Sequence, residues 1–194
     1  MKPLSAATIF VSIAAYRDPQ LPLTVASLFA QAEHPERVFV GVFNQIHLQE
    51  DQDCIAPDRP NLLQHVLDYN EAQGACWARG YVWNKLLGEQ DFALQIDSHS
   101  RFAPHWDTSV LQMHADIGDE QAVITHYPMG FDTETDALDP QMYTYFNVQS
   151  FRATQMPEVT SGAVDLQAAP KRCAQTAFVA AGSLFGRGAM FKQV

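Results

Sequence analysis

The chain has 194 residues, 47% of them hydrophobic and 18% charged, enough length and apolar content for one well-buried core and too apolar for a disordered segment. Its 12 basic and 22 acidic residues leave a net charge of −10, which argues against broad binding to nucleic acid or to an anionic membrane surface. That balance still permits a small phosphorylated ligand held by a few arginines and a metal ion.

No apolar stretch approaches the ~20 residues needed to span a bilayer, so no membrane span is expected. The run Ile9 to Ala15 has the look of a weak signal peptide, but Tyr16-Arg17-Asp18-Pro19 interrupts it, and a buried strand suits it better. The cysteines, Cys54, Cys76 and Cys173, lie far apart and form no C-x-x-C pair. A disulfide framework or structural zinc site is therefore not expected, and a reducing cytoplasm is the expected location.

In chain order, Thr8 to Ala14 is a short β-rich apolar run and reads as a buried strand. Leu21, Val25, Leu28 and Phe29 recur at helical spacing, which predicts a helix from Leu21 to Gln31, ended by His34-Pro35-Glu36. Val38 to Phe43 is a second buried strand. Strand, helix, strand is the signature of an α/β unit with parallel strands and a right-handed crossover. Asn44 to Pro60 reads as a polar loop, and Leu62 to Tyr69 as either an edge strand or a helical turn. Glu71 to Leu87 follows helical rows, weakened by Gly74 and Gly80. Phe92 to Ile96 is a third clear strand and runs directly into Asp97-Ser98-His99-Ser100-Arg101-Phe102. Trp106 to Ile117 reads as a helix with Asp107 in its first turn, where negative charge is favoured, and Ala122 to His126 as a further strand. Thr133 to Gln175 reads as irregular and polar, and Ala177 to Val194 as an apolar tail.

In open α/β sheets, ligands bind beyond the carboxyl ends of the strands. Two polar loops fall at such ends: Ala15-Tyr16-Arg17-Asp18 and Asp97-Ser98-His99. Alternate residues leaving a strand point the same way, so the Asp97 carboxylate and the His99 imidazole can reach one cation. That donor pair suits Mn2+ or another borderline divalent ion better than Ca2+, and such an ion neutralises charge on a phosphate leaving group. The alternatives are a strand-end turn residue for Asp97 and a hydrogen-bonded structural histidine for His99. A literal D-x-D, Asp51-Gln52-Asp53, lies mid-loop with no strand feeding it. Arg17, Arg79 and Arg101 are candidate phosphate or nucleotide contacts, because guanidinium forks match phosphate oxygens; ordinary ion pairing with the many acids is the alternative. Tyr16 is either a base platform or a core residue. Trp77, Trp83 and Trp106 read as core, and His105, His114 and His126 as structural or surface residues. Neither G-x-S-x-G, G-x-G-x-x-G nor a P-loop follows any strand, which disfavours serine hydrolase, dinucleotide-binding and P-loop chemistry.

The opening Ile9-Phe10-Val11-Ser12-Ile13-Ala14-Ala15-Tyr16-Arg17-Asp18-Pro19 resembles that of the GlcNAc family of glycosyltransferases. Pro35 to Gly41, Ala72 to Arg79, Leu94 to Phe102 with Trp106-Asp107, and Phe178 to Gly182 follow in the family's order. The resemblance runs from Ile9 to Phe185, and Gln-Ile-Asp-Ser-His-x-Arg-Phe is its most specific part. It implies a GT-A type nucleotide-diphospho-sugar transferase fold, with a mainly parallel central sheet flanked by helices, and a UDP-GlcNAc donor. By resemblance, Asp97-Ser98-His99 stands in for the D-x-D motif, with Asp97 and His99 holding Mn2+ or Mg2+. Tyr16, Arg17 and Asp18 would line the uridine pocket and Arg79 would face the nucleotide, while Arg101 and Phe102 would support the motif loop. The implied chemistry is transfer of GlcNAc to a hydroxyl acceptor, protein or glycan, with retention. The chain is then one domain, 1–194, with nucleotide-sugar binding in about 8–130 and an acceptor part in about 131–194. The family's late acidic stretch has no counterpart before Val194, so that acceptor part is expected to be incomplete. A non-catalytic domain that binds a nucleotide sugar or a protein partner is the second reading, and a nucleotidyltransferase of similar architecture a third.

Overall fold

The computed structural model describes residues 3–137, 142–165, 167 and 173–192. Four strands, β1 (Ile9–Tyr16), β2 (Val38–Ile46), β3 (Leu62–Asp68) and β4 (Phe92–Asp97), run parallel in one sheet. Two further strands extend it, β8 (Ser183–Arg187) antiparallel to β4 and β5 (Ile124–Thr125) antiparallel to β8, giving the order β3-β2-β1-β4-β8-β5. The chain builds outward from β1 through β2 to β3, then returns to the other side of β1 for β4. That reversal makes a topological switch point beyond the carboxyl ends of β1 and β4.

Burial on both faces explains the near-continuous apolar strands. Ile9, Val11, Ile13 and Ala15 of β1 point to one face, with Val38, Val40 and Val42 of β2. There they meet Leu21, Val25, Leu28 and Phe29 of α1 (Leu21–Gln31), and Trp106 and Leu111 of α3 (Trp106–Ile117). On the opposite face Phe10 and Phe43 pack against Ala78 and Val82 of α2 (Ala75–Lys85), with Trp77, Tyr81 and Trp83 closing over them. Each such fully buried side chain contributes about 1.5–3 kcal/mol. Gly41 on β2 is a steric requirement of this layer, because an added Cβ would collide with the Phe10 ring.

The predicted helices Leu21–Gln31 and Trp106–Ile117 form over those residues. Asp107, expected near a helix N-terminus, is buried and accepts the backbone N–H groups of Glu33 and His34 at 2.8 and 2.9 Å, so it also closes the end of α1. The region left open between strand and turn is the edge strand β3. The helix expected from Glu71 begins later, because Gly74 takes φ 94° and turns the chain into α2 at Ala75.

The expectation of an irregular 133–175 is overturned where that segment is described. β6 (Met142–Phe151) and β7 (Pro157–Asp165) pair as an antiparallel ribbon with a bulge between Val148 and Ser150. The apolar tail also gains structure: β8 enters the main sheet beside β4, and the short α4 (Gly188–Phe191) stacks Phe191 on Trp83 at 4.5 Å. The polar loop expected from Asn44 starts later, since β2 continues to Ile46. The three cysteines are unbridged, and burial pushes the Cys54 thiol up to about 11. Among the described residues no helix is long and apolar enough to cross a membrane.

Candidate functional site

Register brings the two predicted loops together. Ala14 of β1 lies opposite Asp97 of β4, so residues 16–18 and 98–99 leave the sheet side by side. Asp18 joins them. Its Oδ2 accepts the Ser98 hydroxyl at 2.5 Å and contacts His99 Nδ1 at 2.9 Å, while Oδ1 accepts the Gln20 N–H at 2.9 Å. Burial raises the Asp18 pKa, but the hydrogen bonds from Ser98, His99 and Gln20 outweigh it and hold the carboxyl below its ordinary value. An ionised carboxylate only accepts, so Nδ1 of His99 is the donor in this contact, and in the neutral ring Nε2 is the nitrogen with a lone pair to offer.

The loop that carries Asp97, Ser98 and His99 is pinned to α1. Thr24, fully buried, donates its hydroxyl to the Ser98 carbonyl at 2.6 Å and accepts the Ser100 N–H at 2.9 Å. Ser27 accepts the Phe102 N–H at 3.0 Å. Sequence reasoning saw only the apolar stripe of α1. The polar signal was a threonine and a serine on that same helix, facing the motif across more than seventy residues.

Arg79 of α2 donates from Nη2 to Asp97 Oδ1 at 3.0 Å. Oδ2 of the same carboxylate lies against Gly182, at the entry to β8. Arg101 is differently placed. Its side chain is 4% exposed, and it donates to Gln20 Oε1 at 2.7 Å, to Asp136 at 2.7 Å and to the Ser100 carbonyl, with the guanidinium 4.3 Å over the Phe131 ring. Its donors are committed to tying the motif loop to the segment after β5. Phe102 packs on Trp106 at 4.8 Å in the core.

On the other side, Arg17 adopts a left-handed φ of 46° and forms a fork on Asp51, with Nε to Oδ2 at 2.6 Å and Nη2 to Oδ1 at 3.0 Å. That hydrogen-bonded pair raises the Arg17 pKa and lowers that of Asp51. Arg17 also lies 4.8 Å over Tyr69, and the exposed Tyr16 meets the same ring edge-on at 6.5 Å. Asp51, set aside as a mid-loop acid, is thus a structural partner of the first loop, together with Tyr69.

A cavity of about 680 Å3 opens against this arrangement, in the range of small-molecule sites. Asp97 and His99 border it with Gln20, Tyr127, Phe131 and Gly182. Among the described residues no cluster of three or more His, Cys, Asp or Glu side chains is placed to hold an ion alone. Asp97 and His99 supply two donors, which fits a divalent cation that completes its shell with phosphate oxygens and water. The Asp18 contact on His99 Nδ1 is of the kind that orients an imidazole ligating through its other nitrogen.

Among curated proteins no relative matches the chain. Solved structures resemble it at low identity. Staphylococcus aureus TarS residues 1–349 in complex with UDP-GlcNAc shares 14% identity at a TM-score of 0.48, covering 69% of this chain and 38% of that one. The mannosyltransferase PcManGT from Pyrobaculum calidifontis, in complex with GDP-Man and Mn2+, shares 11% at 0.47, covering 61% and 35%. The chain therefore spans well under half the length of these structures. A family model described as Glycosyltransferase (GlcNAc) matches residues 8–64 and 58–194. Nearly the whole chain is matched, and the protein belongs to the GlcNAc family of glycosyltransferases.

Proposed function

We propose that this chain binds UDP-GlcNAc and transfers N-acetylglucosamine to a hydroxyl of a protein or glycan acceptor, with retention and with the help of Mn2+ or Mg2+. The observation that carries the reading is the convergence of Asp18, Arg79, Asp97, Ser98 and His99 at the switch point, beside a cavity of about 680 Å3. Family membership supports the sugar, while the hydroxyl acceptor and the retention of configuration are what the sequence resemblance implies. Residues 8–130 are assigned to the donor and 131–194 to the acceptor side, with Gly182 and its neighbours shared between them.

In this reading Asp97 and His99 would hold the cation, which would supply charge neutralisation at the diphosphate leaving group. The chain's own residues do the rest. Asp18, itself held by the Ser98 hydroxyl, contacts His99 Nδ1 and fixes the ring. Arg79 orients the Asp97 carboxylate and adds positive charge on the nucleotide side. Tyr16 offers an exposed aromatic face and Arg17 a rigid cationic one, held by Asp51. Arg101 binds the motif loop to the wall at Phe131 and Asp136. With a net charge of −10, a phosphate ligand here would depend on the cation and on the side chains of Arg79 and Arg17.

The test is thermal unfolding with UDP and Mn2+, separately and together. A ligand at a hundred times its Kd stabilises by about 2.7 kcal/mol, and for a domain this size that raises Tm by about 5–10 °C. The pair together gives that shift, neither alone does, and Asp97→Ala abolishes it. No shift at millimolar UDP with Mn2+ sinks the reading. A second reading, binding without turnover, draws on the fact that Asp97 is the one carboxylate among the described residues bordering the cavity and is already paired with Arg79. UDP-GlcNAc hydrolysis that disappears in His99→Ala excludes it.

A further inference from the structure

Gly182 sits where β8 begins, against the tip of Asp97. An ideal Cβ at this position would lie 2.5 Å from Asp97 Oδ2 and 3.3 Å from its Cγ. The backbone itself does not call for glycine: among the described residues the glycines with positive φ are Gly74 and Gly118. The requirement for a hydrogen atom therefore comes from the carboxylate opposite.

Two features decide which partner would yield. Ser183 pairs with Ile96 in the β8–β4 ladder, the Ala181 carbonyl accepts the Gln95 amide at 2.8 Å, and the Ser183 N–H donates to the Ala180 carbonyl at 3.1 Å. The main chain at residues 180–183 is held on both sides and has little room to retreat. Asp97 is the last residue of β4, its side chain is 42% exposed, and its carboxylate is tethered by one bond, from Arg79. A methyl group at Gly182 would swing the carboxylate off Arg79 and leave the fold in place.

We infer that Gly182 is a positioning residue for the donor site: its missing side chain lets the Asp97 carboxylate lie between Arg79 and the cavity. The inference rests on the donor-site reading for its functional consequence, though not for its steric part. It makes the entry to β8 a determinant of cation affinity without contact to the cation.

The experiment compares wild type, Gly182→Ala, Asp97→Ala and the double variant by thermal unfolding without ligand, and wild type against Gly182→Ala by calorimetric titration of UDP in Mn2+ and in EDTA. Disturbing a residue that orients a ligand costs about 10–100-fold in metal affinity. Gly182→Ala is accordingly expected to weaken UDP binding by about that factor in Mn2+ and to leave binding in EDTA unchanged. In the Asp97→Ala background the carboxylate is gone, so adding Gly182→Ala leaves Tm unchanged, the non-additivity of residues in direct contact. Wild-type affinity in Gly182→Ala overturns the inference, as does a Tm loss that persists in full in the double variant. If Gly182→Ala fails to fold, recovery of folding in the double variant supports the inference, and continued failure overturns it. If wild type binds no UDP in Mn2+, the donor reading falls, while the Tm cycle still decides the steric claim.

Discussion

The parallel part of the sheet and the β6–β7 ribbon are built on different terms. β1, β2 and β4 are buried on both faces, and the loops that leave them are held by long-range bonds from Thr24, Ser27, Asp18 and Arg101. The ribbon pairs with itself and leaves Phe151 69% and Met156 61% exposed. The Thr144 hydroxyl on the Tyr127 carbonyl links it to the segment that walls the cavity. An isolated two-stranded hairpin is marginal in water. Long-range side-chain bonds thus concentrate on the strand-end loops, and the ribbon lies in the segment proposed above for the acceptor side.

Mutations should separate the two regions, beginning with the largest effect. Phe43→Ala empties the layer between β2 and α2, where Phe43 meets Trp77 at 5.1 Å and Tyr81 at 4.3 Å, and should cost about 3–5 kcal/mol in chemical denaturation. Thr24→Val keeps the shape but strips two hydrogen bonds from the motif loop, for about 1–3 kcal/mol. It should also weaken UDP binding, whereas Phe43→Ala acts on stability first.

The pH profile gives a smaller effect with a definite sign. Burial lowers the pKa of His114, which lies edge-on to Phe92 at 5.2 Å. The folded state keeps this imidazole neutral while the unfolded chain protonates near its ordinary value of 6.5. Unfolding therefore takes up a proton, and stability falls as pH drops below about 6.5 until the folded pKa is passed. His114→Gln should flatten that slope between neutral pH and pH 5. At the small end, Phe151→Ser on the ribbon should change stability by no more than about 0.5 kcal/mol, because the ring is already in water. A loss of several kcal/mol there would erase the contrast between the regions.

What the sequence discloses follows the same divide. Periodicity marks α1 residue for residue, because it buries one stripe against the sheet, and the helix read from Trp106 to Ile117 keeps its bounds as α3. Strand-end placement points to Asp97, Ser98 and His99 because β4 delivers them to the switch point beside β1. The ribbon escapes notice because burial imposes no alternation on an exposed hairpin, although Tyr143-Thr144-Tyr145-Phe146 carries the β-forming residues. The site's supports escape it for another reason. The Arg17–Asp51 fork, the Arg101–Asp136 tie and the contact of Gly182 with Asp97 join residues far apart in the chain, and no local pattern encodes such a meeting. Arg101 illustrates the difference: residue type suggests a phosphate contact and the resemblance implies a support of the motif loop, and with 4% exposure it is bonded to Gln20, Asp136 and the Ser100 carbonyl.

The central claim is that the carboxyl ends of β1 and β4 form a cation-assisted UDP-GlcNAc site through Asp97 and His99. Calorimetric titration of UDP-GlcNAc into the wild type and Asp97→Ala, each in Mn2+ and in EDTA, tests it most directly. The account predicts binding by wild type in Mn2+, a large loss on chelation, and no manganese-dependent binding in Asp97→Ala. Equal affinity in all four titrations, or no heat from wild type in Mn2+ at millimolar donor, would contradict it.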